Sequence, residues 1–286
     1  MTLDDTALKA WIGRSETLHD QIHPTPVVAL TATLDHPGAP VNPGDPLPAL
    51  WHWLYFLPLH RQSEIGPDGH ARRGGFLPPV PLPRRMWAGS QFDFRAPVRV
   101  GDAVARTSTI EDVSLKNGRS GTLVFVKVRH ELRCNAAPEP AIVEHHDIVY
   151  RDAQRADDVP PPPQQATEGA AWQREVLPDE VLLFRYSALT FNGHRIHYDR
   201  KYVTEVEGYP GLVVHGPLIA TLLMDLLRRQ LPEAVVTGFS FRAVRPTFDG
   251  QALRVNGQLQ ADGRTVKLWA QDHAGWLTMD ATATLA

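Results

Sequence analysis

Residues 185–230 read RYSALTFNGHRIHYDRKYVTEVEGYPGLVVHGPLIATLLMDLLRRQ, and the rest of the chain is organised around this stretch. It has three parts. The loop Phe191-Asn192-Gly193-His194-Arg195-Ile196-His197-Tyr198-Asp199 is dense in groups that hold or move protons. Gly208 to Gly216 is punctuated by glycine and proline. Pro217 to Gln230 then reads as a helix. Pro217 suits its first turn, where the missing N–H has no partner to lose, and Pro232 supplies the stop. Leu218, Ile219, Ala220, Leu222, Leu223, Met224, Leu226 and Leu227 leave almost no polar face. A helix apolar all round is buried or spans a membrane. This one is too short to span and carries Asp225, Arg228 and Arg229, so the pattern predicts burial.

The chain of 286 residues is long enough for one large or two ordinary domains, and 43% hydrophobic content can fill a sizeable core. A net charge of −3 gives no basis for binding nucleic acid or an anionic membrane. The single cysteine, Cys134, excludes an intramolecular disulfide and any cysteine cluster for a metal. The first residues, MTLDDTALKAWIGRSE, lack a basic segment followed by an apolar one, so a cytoplasmic protein without a secretory signal is expected.

Working outward, Thr2–Leu18 reads as a short amphipathic helix and Thr25–Leu34 as a second apolar stretch. His36–Pro48 is loop by composition. Ala49–Leu57 is aromatic-rich and reads as buried, and the Gly/Pro-rich Ser63–Pro83 as a long exposed excursion. Strand texture follows over Trp87–Phe94, Ala103–Asp112, Gly121–Arg133 and Ala141–Arg151, with a hairpin signal at Asn117-Gly118. Asp152–Gly169, with its run of four prolines, is the clearest boundary and reads as an extended linker. Beyond the key stretch, strands are predicted over Val236–Ala243, Gln251–Gln260, Thr265–Asp272 and Trp276–Leu285.

An internal similarity joins the two ends of this pass. FRAPVRVGD, Phe94–Asp102, resembles FRAVRPTFDG, Phe241–Gly250, about half a chain later. Each is strand, proline and an Asp/Gly turn before further strands. This predicts a duplicated unit. Each half then reads as helical elements followed by antiparallel strands, an α+β arrangement.

His197 leads the candidates for chemistry, because an imidazole near its ordinary pKa acts as a general base at neutral pH. Asn192 and Tyr198 are close to it in sequence. Gly216 is second. It opens the apolar helix, where unpaired N–H groups and the helix dipole favour a polarised carbonyl oxygen, and it lets a substrate approach the backbone. His194 and His197 form a weak His-x-x-His pattern that only Asp199 and His215 complete, so no metal is expected. His145 and His146, in a predicted strand, point to opposite faces. Arg185, Arg195 and Arg200 are available for an anionic substrate group.

The string Tyr186–Asp199, followed by Val214-His215-Gly216-Pro217-Leu218, resembles the MaoC-like (R)-specific enoyl-thioester hydratases and dehydratases. The wording of Trp51–Pro58 and of the loop is most similar to the branch with mesaconyl-CoA and itaconyl-CoA hydratases, with mitochondrial-type hydroxyacyl-thioester dehydratases as relatives. The resemblance implies a double hotdog: two antiparallel sheets, each wrapped around a helix. It implies an N-terminal unit over residues 1–151, non-catalytic and shaping the acyl pocket. A linker at 152–170 and a catalytic unit at 171–286 would follow. Carried over residue by residue, the family's catalytic histidine falls on His197 and its oxyanion-hole glycine on Gly216. Its catalytic aspartate falls on Asn192, its asparagine on His194 and its proline on Arg195. An amide accepts no proton at neutral pH, so Asn192 can orient water but not act as a base. His197 must then carry more of the proton transfer, with help from His194 or a residue outside the motif.

The resemblance implies hydration of an enoyl-CoA, with no cofactor beyond the coenzyme A of the substrate. Arg185 or Arg195 would hold the far carboxylate of a C4 or C5 dicarboxylic acyl group, and His194, Tyr198 and His215 would complete the substrate pocket. Three alternatives stay open: the dehydratase of fatty-acid synthesis, a thioesterase using Asp225 or Asp199, and an acyl-CoA-binding protein without chemistry. Both monomer and homodimer are compatible with two hotdogs in one chain.

Overall fold

The computed structural model describes residues 4–37, 40–118, 121–152 and 162–286. The first half contains α1 (Asp5–Lys9), β1 (Ser15–Gln21), α2 (Pro24–Thr33), β2 (Arg84–Phe94), β3 (Ala103–Gly118), β4 (Gly121–Cys134) and β5 (Ile142–Arg151). The second contains β6 (Trp172–Val176), α3 (Glu180–Thr190), α4 (Arg200–Glu205), α5 (Gly216–Gln230), β7 (Val236–Ala243), β8 (Leu253–Leu259), β9 (Thr265–Gln271) and β10 (Leu277–Leu285). The strands form one ten-stranded sheet in the order β1-β3-β4-β5-β2-β7-β10-β9-β8-β6.

That order repeats itself from the centre outward. β2 meets β7 antiparallel, with Ser90 opposite Phe241 and Phe92 opposite Phe239, and each half then runs through equivalent strands to a short edge strand. The two similar sequence segments occupy equivalent places. Arg95 and Ala96 donate to the Ala141 carbonyl, as Val244 and Arg245 do to Thr278. Leu47 donates to Val98 as Val214 does to Thr247.

Several local expectations change. Thr2–Leu18 is not one helix: α1 ends at Lys9, and Ser15–Gln21 is recruited as the edge strand β1 against β3. Edge pairing overrides the weak helical pattern there. β6, read as part of no element from sequence, pairs with β8 in the equivalent position. Asn117 pairs with Thr122 and Gly118 with Gly121, so the reversal falls on residues 119 and 120, which lie outside the described residues. Residues 153–161 of the expected linker also lie outside them.

The halves differ in what covers the sheet. Residues 218–227 of α5 are all buried, packed with Val255, Val266, Leu268, Ala270, Met279 and Ala281 in one core. Asp225, 2% exposed, accepts from Arg174 (2.8 Å), Arg228 (2.9 Å) and Arg229 (2.7 Å). Arg174 and Arg229 also donate to the Leu34 carbonyl, so this buried charge ties α5 to β6 and to the end of α2. In the first half, Pro46 bridges Arg99 as Val213 bridges Phe248. Where α5 would then begin there is only the single 3-10 turn Trp51–Leu54.

Residues 55–83 follow that turn, and Ser63–Pro83 is not the exposed excursion expected. Val80 and Leu82 are buried with Ile110, Val124, Val126 and Tyr150, and residues 66–71 dock on the His194 loop. A cavity of about 2010 Å³ remains between the halves, lined both by the inner face of β3–β5 and by the start of α5.

Candidate active site

α3 ends at Phe191, whose left-handed φ of 49° turns the chain sharply into the loop. The Asn192 N–H then closes onto the Ser187 carbonyl (2.8 Å), and the Asn192 side-chain oxygen accepts from the His194 N–H (3.0 Å). This places Asn192, His194 and His197 along the cavity wall. His197 Nδ1 lies 2.6 Å from the Val213 carbonyl oxygen. A carbonyl can only accept, so Nδ1 carries the hydrogen and Nε2 keeps its lone pair. The His215 ring stacks on His197 at 3.7 Å and 17° and is fixed by Ser187 Oγ (2.8 Å). Burial pushes His197 down to about 4, partly opposed by the Val213 carbonyl. Burial and the neighbouring His197 and His194 hold His215 well below its ordinary value. At neutral pH His197 is therefore a neutral imidazole with an oriented lone pair.

His215 also precedes Gly216, so the stacked pair brings the base beside the N-terminus of α5. The first intrahelical bond there is Ile219 N–H to His215 O (3.1 Å), and Pro217 has no N–H. The Gly216 amide is left for a ligand. A Cβ built on Gly216 meets no atom within 4 Å, although Gly216 lines the cavity. The absence of a side chain leaves room for a substrate and serves no packing need.

The loop of residues 66–71 completes the site. The Arg195 N–H donates to the Asp68 carbonyl (2.9 Å) and its guanidinium to the Pro67 carbonyl (3.0 Å). Gly69 has a φ of +88° and abuts the Gly193 backbone, so no side chain fits there. His70 Nδ1 donates to Asp68 Oδ2 (3.0 Å), and the His70 ring lies 4.0 Å from that of His194. His194 in turn is 5.4 Å from His197, edge to face. Burial lowers His70. Burial, then the neighbouring His70 and His197, lowers His194 to about 2. Burial alone would raise the Asp68 carboxyl, but the His70 hydrogen bond and charge hold it well below the usual carboxylate range. Asp68, His70 and His194 are also the one set among the described residues with three metal-ligand atoms within 4.8 Å of one another.

The structure thus gathers His197, Asn192, Gly216, His194 and Tyr198 on one cavity. Tyr198 stands at its rim, half exposed, its hydroxyl on the Gly193 carbonyl (2.9 Å). His215 is buried behind His197 and braces it without lining the cavity. Arg185 and Arg195 do not line it. Arg185 is exposed on α3. Arg195 is committed to Asp199 (2.7 Å), to Pro67 and to the face of Tyr202 at 4.1 Å, so it docks the loop. The carboxylates behind the thioesterase alternative are occupied too, Asp225 by three arginines and Asp199 by Arg195 and the N-cap of α4. Sequence reasoning missed Asp68 and His70. Their signal was a carboxylate and an imidazole two residues apart between glycines, but only the docking of Gly69 on Gly193 brings them to the site.

The site therefore sets an oriented imidazole beside a helix N-terminus on a ten-stranded double sheet. The model of the hydroxyacyl-thioester dehydratase type 2 family matches residues 50–249, and the chain belongs to that family. It is 46% identical over 281 residues to the mesaconyl-C(4)-CoA hydratase of Chloroflexus aurantiacus, covering 96% of this chain and 97% of that one. A solved MaoC-like dehydratase shares the fold with a TM-score of 0.69 at 16% identity, covering 98% and 99% of the two chains. A Mycobacterium tuberculosis protein with a double hotdog fold does so at 0.60 and 13%, over 96% of each. No helix among the described residues is long and apolar enough to cross a membrane.

Proposed function

We propose that this chain catalyses the reversible hydration of an enoyl-CoA bearing a branched dicarboxylic acyl group of the mesaconyl kind. The observation that carries the chemistry is His197. Its Nδ1 is committed to the Val213 carbonyl, and its Nε2 is left for the cavity beside the Gly216 amide. In the dehydration direction Nε2 takes the proton on the α-carbon. The electrons pass towards the thioester oxygen, whose negative charge meets the Gly216 N–H and the α5 dipole. Asn192 orients the water that leaves or enters at the β-carbon. No redox step occurs, so no cofactor is needed beyond the coenzyme A of the substrate. The substrate assignment follows the 46% identical relative along nearly the whole of both chains.

In a mesaconyl C4 thioester the β-carbon itself carries the carboxylate. Its counter-charge must come from an arginine that lines the cavity, and Arg85, which also faces His70 and His194, is our candidate. Its charge adds to burial in lowering both His70 and His194, while the Asp68 hydrogen bond opposes this at His70. Burial pushes the thiol of the single cysteine, Cys134, up to about 12. Because one chain already pairs two hotdog units, it works as a monomer or a homodimer.

Loss of enoyl-thioester absorbance, followed with crotonyl-CoA and mesaconyl-CoA in parallel, tests this reading. Wild type is expected to prefer mesaconyl-CoA, and His197→Ala to lose about 10³-fold or more. Equal turnover of the two thioesters would overturn the dicarboxylic assignment. Turnover that survives His197→Ala would overturn the site.

A further inference from the structure

The position that the resemblance to MaoC-like hydratases gives to a catalytic aspartate is Asn192 here, and an amide transfers no proton at neutral pH, so the loop supplies one proton-transfer group where two are needed. Hydration and dehydration need two transfers, one at the α-carbon and one at the β-oxygen. We propose that His70, oriented by Asp68 in the docked loop of residues 66–71, is the second proton-transfer group, acting at the β-oxygen opposite His197. This rests on the hydro-lyase reading and adds to it a catalytic residue from the first half of the chain.

The geometry supports the role at each link. His70 lines the same cavity as His197 and His194. Its Nδ1–H is fixed on Asp68 Oδ2 at 3.0 Å, which leaves Nε2 as the working atom and supplies a carboxylate to stabilise an imidazolium. His194 lies between the two working rings, 4.0 Å from His70 and 5.4 Å from His197. The order Gly216, His197, His194, His70 follows the order of the atoms they serve: carbonyl oxygen, α-carbon, then β-carbon. The docking is specific, since Arg195 binds the carbonyls of Pro67 and Asp68 and Gly69 packs on Gly193.

The balanced step in the dehydration direction starts with His70 protonated and His197 neutral. His197 Nε2 takes the α-proton, and the C–H electrons form the enolate held at Gly216. The enolate collapses to the double bond as the β C–O bond breaks, and His70 Nε2–H gives its proton to the departing hydroxide. Water leaves, His197 is protonated and His70 is neutral. Hydration is the reverse. Between successive dehydrations the proton returns from His197 to His70 through His194. The charged and titratable groups facing His70 are Asp68 in its own loop, Arg73, Arg85 on β2, His194 and His197.

The test separates the two transfers. Exchange of the α-hydrogen of the 3-hydroxyacyl-CoA with solvent deuterium, read by mass spectrometry, needs His197 and Gly216 but no loss of the β-oxygen. His70→Ala and the size-conserving His70→Gln are expected to lower dehydration about 10²- to 10⁴-fold, with exchange within a few-fold of wild type. His197→Ala is expected to lose both. Asp68→Asn removes the charge that favours protonated His70. The alkaline limb of its dehydration pH profile should therefore move to lower pH, with kcat affected more than KM. Dehydration near the wild-type rate in both His70 variants would overturn the proposal and leave the hydro-lyase reading standing. So would dehydration and exchange falling in the same proportion, which marks a structural role. Activity lost to a chelator and restored by zinc would overturn it too, making Asp68, His70 and His194 a cation site. An unimpaired His197→Ala would instead bring down the reading beneath it.

Discussion

The two halves share a strand order but present unlike inner faces to the interior. In the second half, β8–β10 turn Val255, Leu268 and Ala281 towards α5, in an apolar core. In the first half the equivalent surface carries Ser108, His130, Glu144 and His146 and lines the cavity. A sheet face with a helix on it gains by excluding water. A face without one can keep polar groups, and here Arg106 Nε is buried without a hydrogen-bond partner. Glu144 is 5% exposed, with Ser90 Oγ at 3.0 Å and His52 Nε2 at 3.5 Å. The same repeat thus yields a half that buries a helix and carries His197 and Gly216, and a half whose polar inner face walls the cavity. Replacement of the first half's long helix by one 3-10 turn makes the difference.

The comparison breaks first at α5. Leu223 is fully buried, and Leu223→Ala should cost about 3 kcal/mol in urea unfolding. Asp225→Asn, which leaves three arginines facing a neutral amide, is expected to cost a similar amount, about 3 kcal/mol. Trimming the polar face of the first half, as Ser108→Ala, should cost only about 1 kcal/mol. A first-half loss as large as that at Leu223 would mean that both faces are core.

Gly216→Ala sharpens the contrast between fold and function. The new Cβ enters empty cavity, so unfolding midpoints should stay level or rise slightly. kcat/KM should fall about 10- to 100-fold, or roughly 1.4–2.8 kcal/mol of transition-state binding. Full activity in this variant would remove Gly216 from the oxyanion site.

The smallest effect expected is on the pH dependence of stability. Burial, partly opposed by Glu144, lowers His146 to about 3 and His130 to about 4. Below the unfolded pKa of about 6.5 the unfolded chain takes up protons that the folded chain refuses. Stability is therefore full above that value and declines as pH falls towards these lower ones. Urea midpoints measured from pH 7.5 to 5 should fall for wild type and fall less for His146→Gln. A flat wild-type profile would mean these imidazoles are open to water.

Much of this was legible without coordinates. Strands β2–β5 and β7–β10 follow from alternation and turn residues, whose signals are local. The burial of α5 follows from its all-round apolar surface. The repeat was visible in two short segments, and the motif that joins His197 to Gly216, whose parts are close in sequence, lies along the cavity wall. Other features depend on partners far along the chain. Ser15–Gln21 and Trp172–Val176 become strands only because an edge is waiting for each. Arg195 looked free for substrate until Pro67 and Asp199 claimed it.

From neighbouring residues alone came the fold class, the duplication and the stretch that brings Asn192, His194, His197 and Gly216 to one cavity, since periodicity, turn chemistry and motif spacing are local. What only the tertiary structure decided was that a Gly/Pro-rich segment folds back to put Asp68 and His70 beside His194. That contact depends on two glycines, Gly69 and Gly193, meeting backbone to backbone across more than a hundred residues, and no local pattern encodes such a meeting.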